Sequence, residues 1–279
     1  MATLLGIISI EQDQSFFAER YFREIITIAS QTIAGNDCYV RIMPPLPAHA
    51  DPATTHAYLI GQGIEAALVI APDQALLEQL SQTFRALPSI ISSAPRLGIP
   101  WSYVNSDNYG ALRKVVTHLA DQGRKGIRLL QPQLPCGDYL ECARGYNDAI
   151  SALGLTPASA ELTYPIDDAV IDQQVLVGAP DALIAPDDQD ALAPLSRLQR
   201  RGLRVPADIA LVGFDDEDFA ADTFPTPTTV SQPLSEMARR AALYLLARLG
   251  GVERDLYQHV LPCRLVMRES SSARPTART

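Results

Sequence analysis

The sequence is short of the features that mark several classes of protein. Its four cysteines (Cys38, Cys136, Cys142, Cys263) form no CxxC pair. The default is therefore reduced thiols in a cytosolic chain, with a Cys136–Cys142 bridge the alternative. No stretch approaches eighteen uninterrupted apolar residues, which excludes a membrane-spanning helix. The N-terminus, MATLLGIISIEQDQ, has no basic leader and only a very short apolar run, so it does not read as a signal peptide. Positive charge is scarce: 23 Lys and Arg stand against 32 Asp and Glu, a net charge of −9. Phosphate binding needs clustered Lys and Arg, so these residues do not hold a duplex by themselves. The weak basic runs, Arg197 to Arg204 and Arg124 to Arg128, read as solvated helix ends and loops. No P-loop, GxGxxG or GxSxG occurs, and His49, His56, His118 and His259 are isolated. No enzyme, metal or cofactor is expected on these grounds.

What is present is a long alternation of short apolar runs and amphipathic stretches. The chain has 279 residues, 47% of them hydrophobic, a length that suits two lobes better than one small core. Strands are expected at Leu4–Ile8, Tyr39–Met43, Glu65–Ala71, Ser89–Ile91 and Trp101–Val104. Helices are expected between them, at Ser15–Ala34, Thr54–Gly61 and Gln74–Arg85. Such βα alternation is the signature of a parallel doubly wound sheet. A helix from about Tyr109 to Gln122 follows, closed by Gly123, and the alternation then starts afresh. Strands are expected at Gly126–Leu130, Leu162–Tyr164, Ala182–Ala185 and Ile209–Phe214, and a final strand region at His259–Arg268. Helices are expected at Tyr139–Ala152, Asp190–Arg201 and Leu234–Leu249.

The stretch Pro180–Pro233 is the most informative. Two apolar strand candidates, Ala182–Ala185 and Ile209–Phe214, each stop at paired carboxylates, Asp187-Asp188 and Asp215-Asp216. Ligands of open α/β sheets bind just beyond the carboxyl ends of the strands. These acids therefore place hydrogen-bond acceptors where a small polar ligand would sit. Asp215-Asp216-Glu217-Asp218 lacks the alternate ligand spacing of a calcium loop.

The segments SDNYGALRKVVTHLADQGRKGIRLL, RGYNDAISALGL, PDALIAPDDQDALAPLSRLQRRGLRVPADIALVGFDD, FPTPTTVSQPLSEMARRAALYLLARL and LPCRLVMRESS fall in an order that resembles the LacI/GalR family of bacterial transcriptional regulators. The likeness covers about Tyr103–Ser272, and the SFFAE run (Ser15–Glu19) also fits. It implies an α/β, periplasmic-binding-protein-like (type I) core: two Rossmann-like lobes with parallel sheets, three crossovers, and a ligand cleft. The lobes are expected at 1–124 plus 232–261 and at 125–231 plus 262–279. Family members begin with a helix-turn-helix domain and a hinge helix. The core strand candidate here begins at Leu4, so a core fragment is expected, with a naturally headless relative the alternative.

The resemblance also implies ligand contacts. Phe16 and Phe17 match positions that pack on the ligand, although either could be a core residue at a helix start. Ser92, with Ser93, follows a short strand and could face the cleft or bond its own backbone. Asp107 matches the first member of an Asp-Asn pair and is as readily a helix N-cap. Asp187 stands where the family usually has Asn. Asp215 is the first acid after Gly213-Phe214, and a carboxylate there can accept two sugar hydroxyls. Asp188 and Asp216 are expected to cap or to bond backbone. Gln232 matches a cleft residue on the crossover strand. Cys142 occupies the place of an arginine that forks onto ligand oxygens, while Arg144, two residues on, points elsewhere on the helix. The segment Tyr164–Gly178 is shorter than the family's strand–helix unit, and Tyr164 is a poor stand-in for its cleft aromatic.

The expectation is then the effector-binding and dimerisation core of a LacI-type regulator: cytoplasmic, homodimeric, without membrane contact, and reaching operator DNA only through a headpiece. The effector is expected to be a neutral sugar, polyol or nucleoside; a cationic ligand or a degenerate site are alternatives. A periplasmic or secreted sugar-binding receptor of the same fold is the alternative function.

Overall fold

The computed structural model describes residues 3–9, 20–44, 51–70, 78–92, 101–132, 137–252 and 255–272. In chain order the elements are β1 (Thr3–Ser9), α1 (Arg20–Ile33), β2 (Cys38–Ile42), α2 (Pro52–Gly61), β3 (Ile64–Ile70), α3 (Ser81–Ala86), β4 (Ser89–Ser92) and β5 (Tyr103–Ser106). There follow α4 (Asn108–Asp121), β6 (Ile127–Pro132), α5 (Gly137–Ala152), β7 (Ser159–Leu162), α6 (Asp168–Val170), β8 (Ala182–Ile184), α7 (Asp188–Arg200), β9 (Ala210–Val212), β10 (Thr229–Ser231), α8 (Leu234–Leu249), β11 (Gln258–Leu261) and β12 (Arg264–Val266). The chain divides into two compact units. The first holds residues 1–106, 136–138 and 233–261, and the second the remainder.

The first unit is built on a six-stranded sheet of order β11-β5-β4-β3-β1-β2, in which every pairing is parallel. Its central strands read as near-continuous apolar runs because both faces are covered. One face packs under α1 and α8 through Phe22, Ile25, Ala29, Met237, Ala241 and Leu245. The other packs under α2 and α3 through Leu59, Phe84 and Trp101.

The second unit carries a four-stranded parallel sheet of order β7-β6-β8-β9 and an antiparallel pair, β10 with β12. Its strands β8 and β9 are buried throughout. One face packs against α4 and α5, with Tyr146 at the centre. The Tyr146 hydroxyl lies 2.8 Å from the Ile127 carbonyl oxygen and 2.9 Å from that of Ala158, and it accepts the Ala158 N–H at 2.9 Å. One side chain thus ties α5 to β6 and to the lead into β7. Close approach of α5 to α4 depends on Gly145, where a Cβ would fall 2.2 Å from the Tyr109 carbonyl oxygen.

The structure differs from the sequence reading in two places. Helix α4 groups with the second unit, so the first passage between units falls after Ser106 and not after residue 124. Its buried Leu112, Val115, Val116 and Leu119 pack with Ile127, Tyr146 and Ala182. The expected strand over His259–Arg268 is two strands, β11 in the first unit and β12 in the second. Pro262 lies between them and cannot donate to a ladder. Between β7 and β8 the chain makes only the one-turn helix α6 running into a π-turn at Ile171–Val175.

Candidate functional site

At the carboxyl ends of β8 and β9 the second unit gathers five carboxylates. Asp187 is the N-cap of α7, and its Oδ1 accepts the Asp190 N–H at 2.6 Å. Aspartate is favoured there because it satisfies a first-turn donor and complements the helix dipole. The cap function does not spare it from desolvation: burial, then the charges of Asp190 and Asp188, push its carboxyl up to about 7. Asp188 is fully buried. It accepts the Glu217 N–H at 2.9 Å, while its Oδ1 is buried without a partner. Burial raises it to about 6, against hydrogen bonds from Thr229 and Glu217. The carboxylate fits only because residue 213 is glycine; a Cβ at Gly213 would lie 2.0 Å from Asp188 Oδ1. Asp190 accepts the Tyr164 hydroxyl, and burial raises its own carboxyl.

Past β9 the backbone turns through two consecutive left-handed residues, Asp215 at φ 90° and Asp216 at φ 55°. Non-glycine residues in that region are strained and cluster at functional sites. The turn aims the two acids differently. Asp216 pairs with Arg268 at 2.5 Å and lies 3.8 Å from Arg264. Asp215 Oδ1 accepts Gln232 Nε2 at 2.6 Å. Burial raises Asp215 well above the carboxylate range, with Asp187, Asp188 and Glu217 adding repulsion. Below these acids, Leu112, Gln131, Tyr139, Cys142, Pro186 and Phe214 line a small crevice of about 10 Å³.

The expected site residues are thus distributed as follows. Asp187, Asp215 and Gln232 come together, with Cys142 half-buried among the crevice residues. Arg144 pairs with Glu141 at 2.5 Å and stacks over the Tyr109 ring at 4.2 Å, so it does not replace the arginine that Cys142 displaces. Asp107 is the N-cap of α4, its carboxylate taking the Gly110 N–H at 2.8 Å. Ser92 ends β4 in the first unit, buried, with its Oγ 2.6 Å from the Tyr21 hydroxyl rather than on its own backbone. Phe16, Phe17, Ser93 and Cys136 lie outside the described residues. Cys38, Cys142 and Cys263 are reduced thiols. Among the described residues no three His, Cys, Asp or Glu side chains are arranged to hold a metal ion. No helix among them is long and apolar enough to cross a membrane. Sequence reasoning did not pair Tyr164 with Asp190 or set Asp190 beside Asp187. The i, i+3 spacing of Asp187 and Asp190 was the available signal for the second.

A doubly wound α/β unit with acceptors beyond its strand ends is a small-molecule-binding lobe. Comparison with known proteins makes this specific. Residues 116–271, more than half of the chain, match the family described as the periplasmic binding protein-like domain. The HTH-type transcriptional regulator CelR of Thermobifida fusca is 28% identical over 95% of this chain and 80% of its own length. The HTH-type transcriptional repressor CytR of Escherichia coli is 28% identical over 91% of this chain and 76% of its own. The solved complex of the regulator CelR with cellobiose superposes with a TM-score of 0.83 at 26% identity, covering 96% of this chain and 84% of that one. The chain belongs to the periplasmic binding protein-like domain family, in the form that LacI-type regulators use as their effector-binding core.

Proposed function

We propose that the effector is an uncharged polyhydroxy molecule of sugar type, held on the second unit by Asp187, Asp215 and Gln232, and that the core works as a homodimer in the cytoplasm to govern operator binding through a DNA-reading headpiece. The observation that carries this reading is the cluster of desolvated carboxylates at the ends of β8 and β9, with Cys142 where relatives are expected to carry an arginine. Such a surface accepts hydrogens from hydroxyl groups and repels phosphate. The likeness to a regulator solved with cellobiose supports a neutral saccharide. Effector and operator would be linked as two ligands that bias one conformational equilibrium.

Calorimetric titration against cellobiose, ribose, nucleosides and glucose 6-phosphate tests the proposal. The expected result is saturable binding of one neutral member, weakened at least ~10-fold by Asp215→Ala, the loss of ~1.4 kcal/mol or more that follows when a buried ligand hydroxyl is left without its hydrogen-bond partner. Tight binding of the sugar phosphate would overturn it. Sedimentation at micromolar concentration reads the dimer.

A further inference from the structure

The turn that carries Asp215 is held from outside itself. Its φ values of 90° and 55° fall in the region that glycine adopts without strain. Both residues are aspartates, so the surroundings must hold the backbone there. Three N–H groups of the turn are engaged: Asp215 with the Val230 carbonyl at 2.8 Å, Asp216 with Thr229 Oγ1 at 3.2 Å, and Glu217 with Asp188 at 2.9 Å. A further attachment comes from Arg268, just past β12 and 52 residues along the chain from Asp216. Its Nη2 donates to Asp216 Oδ1 at 2.5 Å, and its Nη1 to the Pro227 carbonyl at 3.2 Å. The backbone of Arg268 is fixed in turn: its N–H donates to Thr228 Oγ1 at 2.9 Å, and its carbonyl accepts the Thr228 hydroxyl at 3.1 Å. The paired side chains of Arg268 and Asp216 are only 21% and 13% exposed. Arg264, 3.8 Å from the same carboxylate, is 69% exposed and is the weaker partner, because solvent screens such contacts.

We propose that Arg268 is a positioning residue for effector binding: through Asp216 it locks the left-handed turn, the locked turn aims the Asp215 carboxylate, and Arg268 thereby sets effector affinity without touching the effector. The proposal rests on Asp215 being an effector contact, as in the proposed function. Two physical arguments carry it. A guanidinium donates from several nitrogens in a fixed plane, so one side chain can fasten the turn and the segment leading into β10 together. Asp215 and Asp216 are also adjacent, so the direction of one side chain follows the backbone of the other. Released from Arg268, the turn can relax toward right-handed backbone. That relaxation carries the Asp215 carboxylate away from Gln232, whose Nε2 it accepts at 2.6 Å, and away from the place where a sugar hydroxyl would meet it.

Hydrogen exchange in the whole chain, without any sugar, reads the turn itself. In Arg268→Gln, peptides spanning residues 214–217 are expected to exchange at least ~10-fold faster, and helix α4 to change by less. Calorimetry with cellobiose, and with ribose where cellobiose does not bind, reads the consequence. Arg268→Gln should weaken binding at least ~5-fold, as loss of one well-aimed hydrogen bond does. Arg268→Lys, which keeps the charge but not the planar fork, should recover part of that loss, and Arg264→Gln should leave affinity within ~2-fold. In an Asp215→Ala background Arg268→Gln should add less than ~2-fold, because the group it positions is gone. Unchanged exchange at the turn, a rise no larger there than in α4, or a loss of affinity as large without Asp215 as with it overturns the proposal. Should Arg268→Gln fail to fold, Asp216→Asn breaks the pair from the other side with a residue that tolerates left-handed backbone, and the same exchange criterion applies. Binding that Asp215→Ala leaves unweakened tells against the proposed function instead, and exchange at the turn still decides whether Arg268 holds it.

Discussion

Replacing Asp187 by asparagine should stabilise the protein, and should do so more at alkaline than at acidic pH. Asparagine keeps the N-cap, because its side-chain oxygen can take the same Asp190 N–H that Asp187 holds at 2.6 Å. It removes a charge that burial and the neighbouring Asp190 and Asp188 disfavour. The folded carboxyl titrates at about 7, whereas an unfolded aspartate titrates near ~3.9. The folded state therefore binds the proton more tightly, and stability falls as pH rises from about 4 to about 7, with no further change above that. About three pKa units at ~1.36 kcal/mol each set a ceiling of ~4 kcal/mol on the cost of ionising Asp187 in the folded state. Sharing of the proton with Asp190 reduces what a single substitution recovers, and ~1–3 kcal/mol is expected at pH 8. His118 works in the other direction: burial lowers its pKa, so acid destabilises through it. Comparing the variant with the parent at each pH cancels that contribution. Urea unfolding followed by circular dichroism at pH 5 and pH 8 measures the effect, expected to be ~0.7–2 kcal/mol larger at the higher pH, because about a third of the titration already lies below pH 5. An equal gain at both pH values, or a loss at pH 8, would refute the assignment of Asp187 as a desolvated, repelled carboxylate.

Other substitutions probe the frame that holds the cluster. Gly213→Ala places a methyl group 2.0 Å from Asp188 Oδ1 and 3.2 Å from Asp188 Cα; thermal unfolding should show a loss of ~3 kcal/mol or more, with sugar binding reduced alongside. Gly145→Ala sets its Cβ 2.2 Å from a backbone oxygen of Tyr109, and the same assay should show a loss of at least ~3 kcal/mol, because no side chain can yield there. Tyr146→Phe removes the hydroxyl that joins Ile127 and Ala158 and should cost ~2 kcal/mol in urea unfolding, since it takes the hydroxyl acceptor from the Ala158 N–H and a donor from the Ile127 carbonyl.

The sequence carried the fold well where apolar periodicity alone decides it. Strands such as Ala182–Ile184 and Ala210–Val212 are buried on both sides, so they read as unbroken apolar runs ending at acids. Helix α4 was legible as a helix but not as part of the second unit. Its stripe of Leu112, Val115, Val116 and Leu119 shows that a face is buried, and says nothing of which sheet buries it. The acids at the strand ends were legible for the same reason as the strands. Their dependence on Gly213 was not, because the approach of Asp188 to that backbone joins residues 25 apart in sequence. Asp107 shows the opposite limit. A motif shared with a family identifies a residue, whereas its hydrogen bond to the Gly110 N–H already accounts for aspartate by helix capping alone.

The site also departs from local rules in a consistent direction. Two adjacent non-glycine residues in the left-handed region, a buried carboxylate oxygen without a partner and several mutually repelling acids all lower stability, and all sit at the ends of β8 and β9. Violations concentrated in one place are the mark of a functional site supported by a consistent scaffold elsewhere. A sugar hydroxyl supplies the hydrogen that a desolvated carboxylate lacks, without adding a charge to be buried. Protonation satisfies the same oxygens, so under the proposed function proton and sugar would compete for Asp187. On this reading effector affinity falls as pH drops below about 7, the value at which Asp187 titrates, and the pH dependence should be reduced in Asp187→Asn, with Asp188, Asp190 and Asp215 supplying what remains.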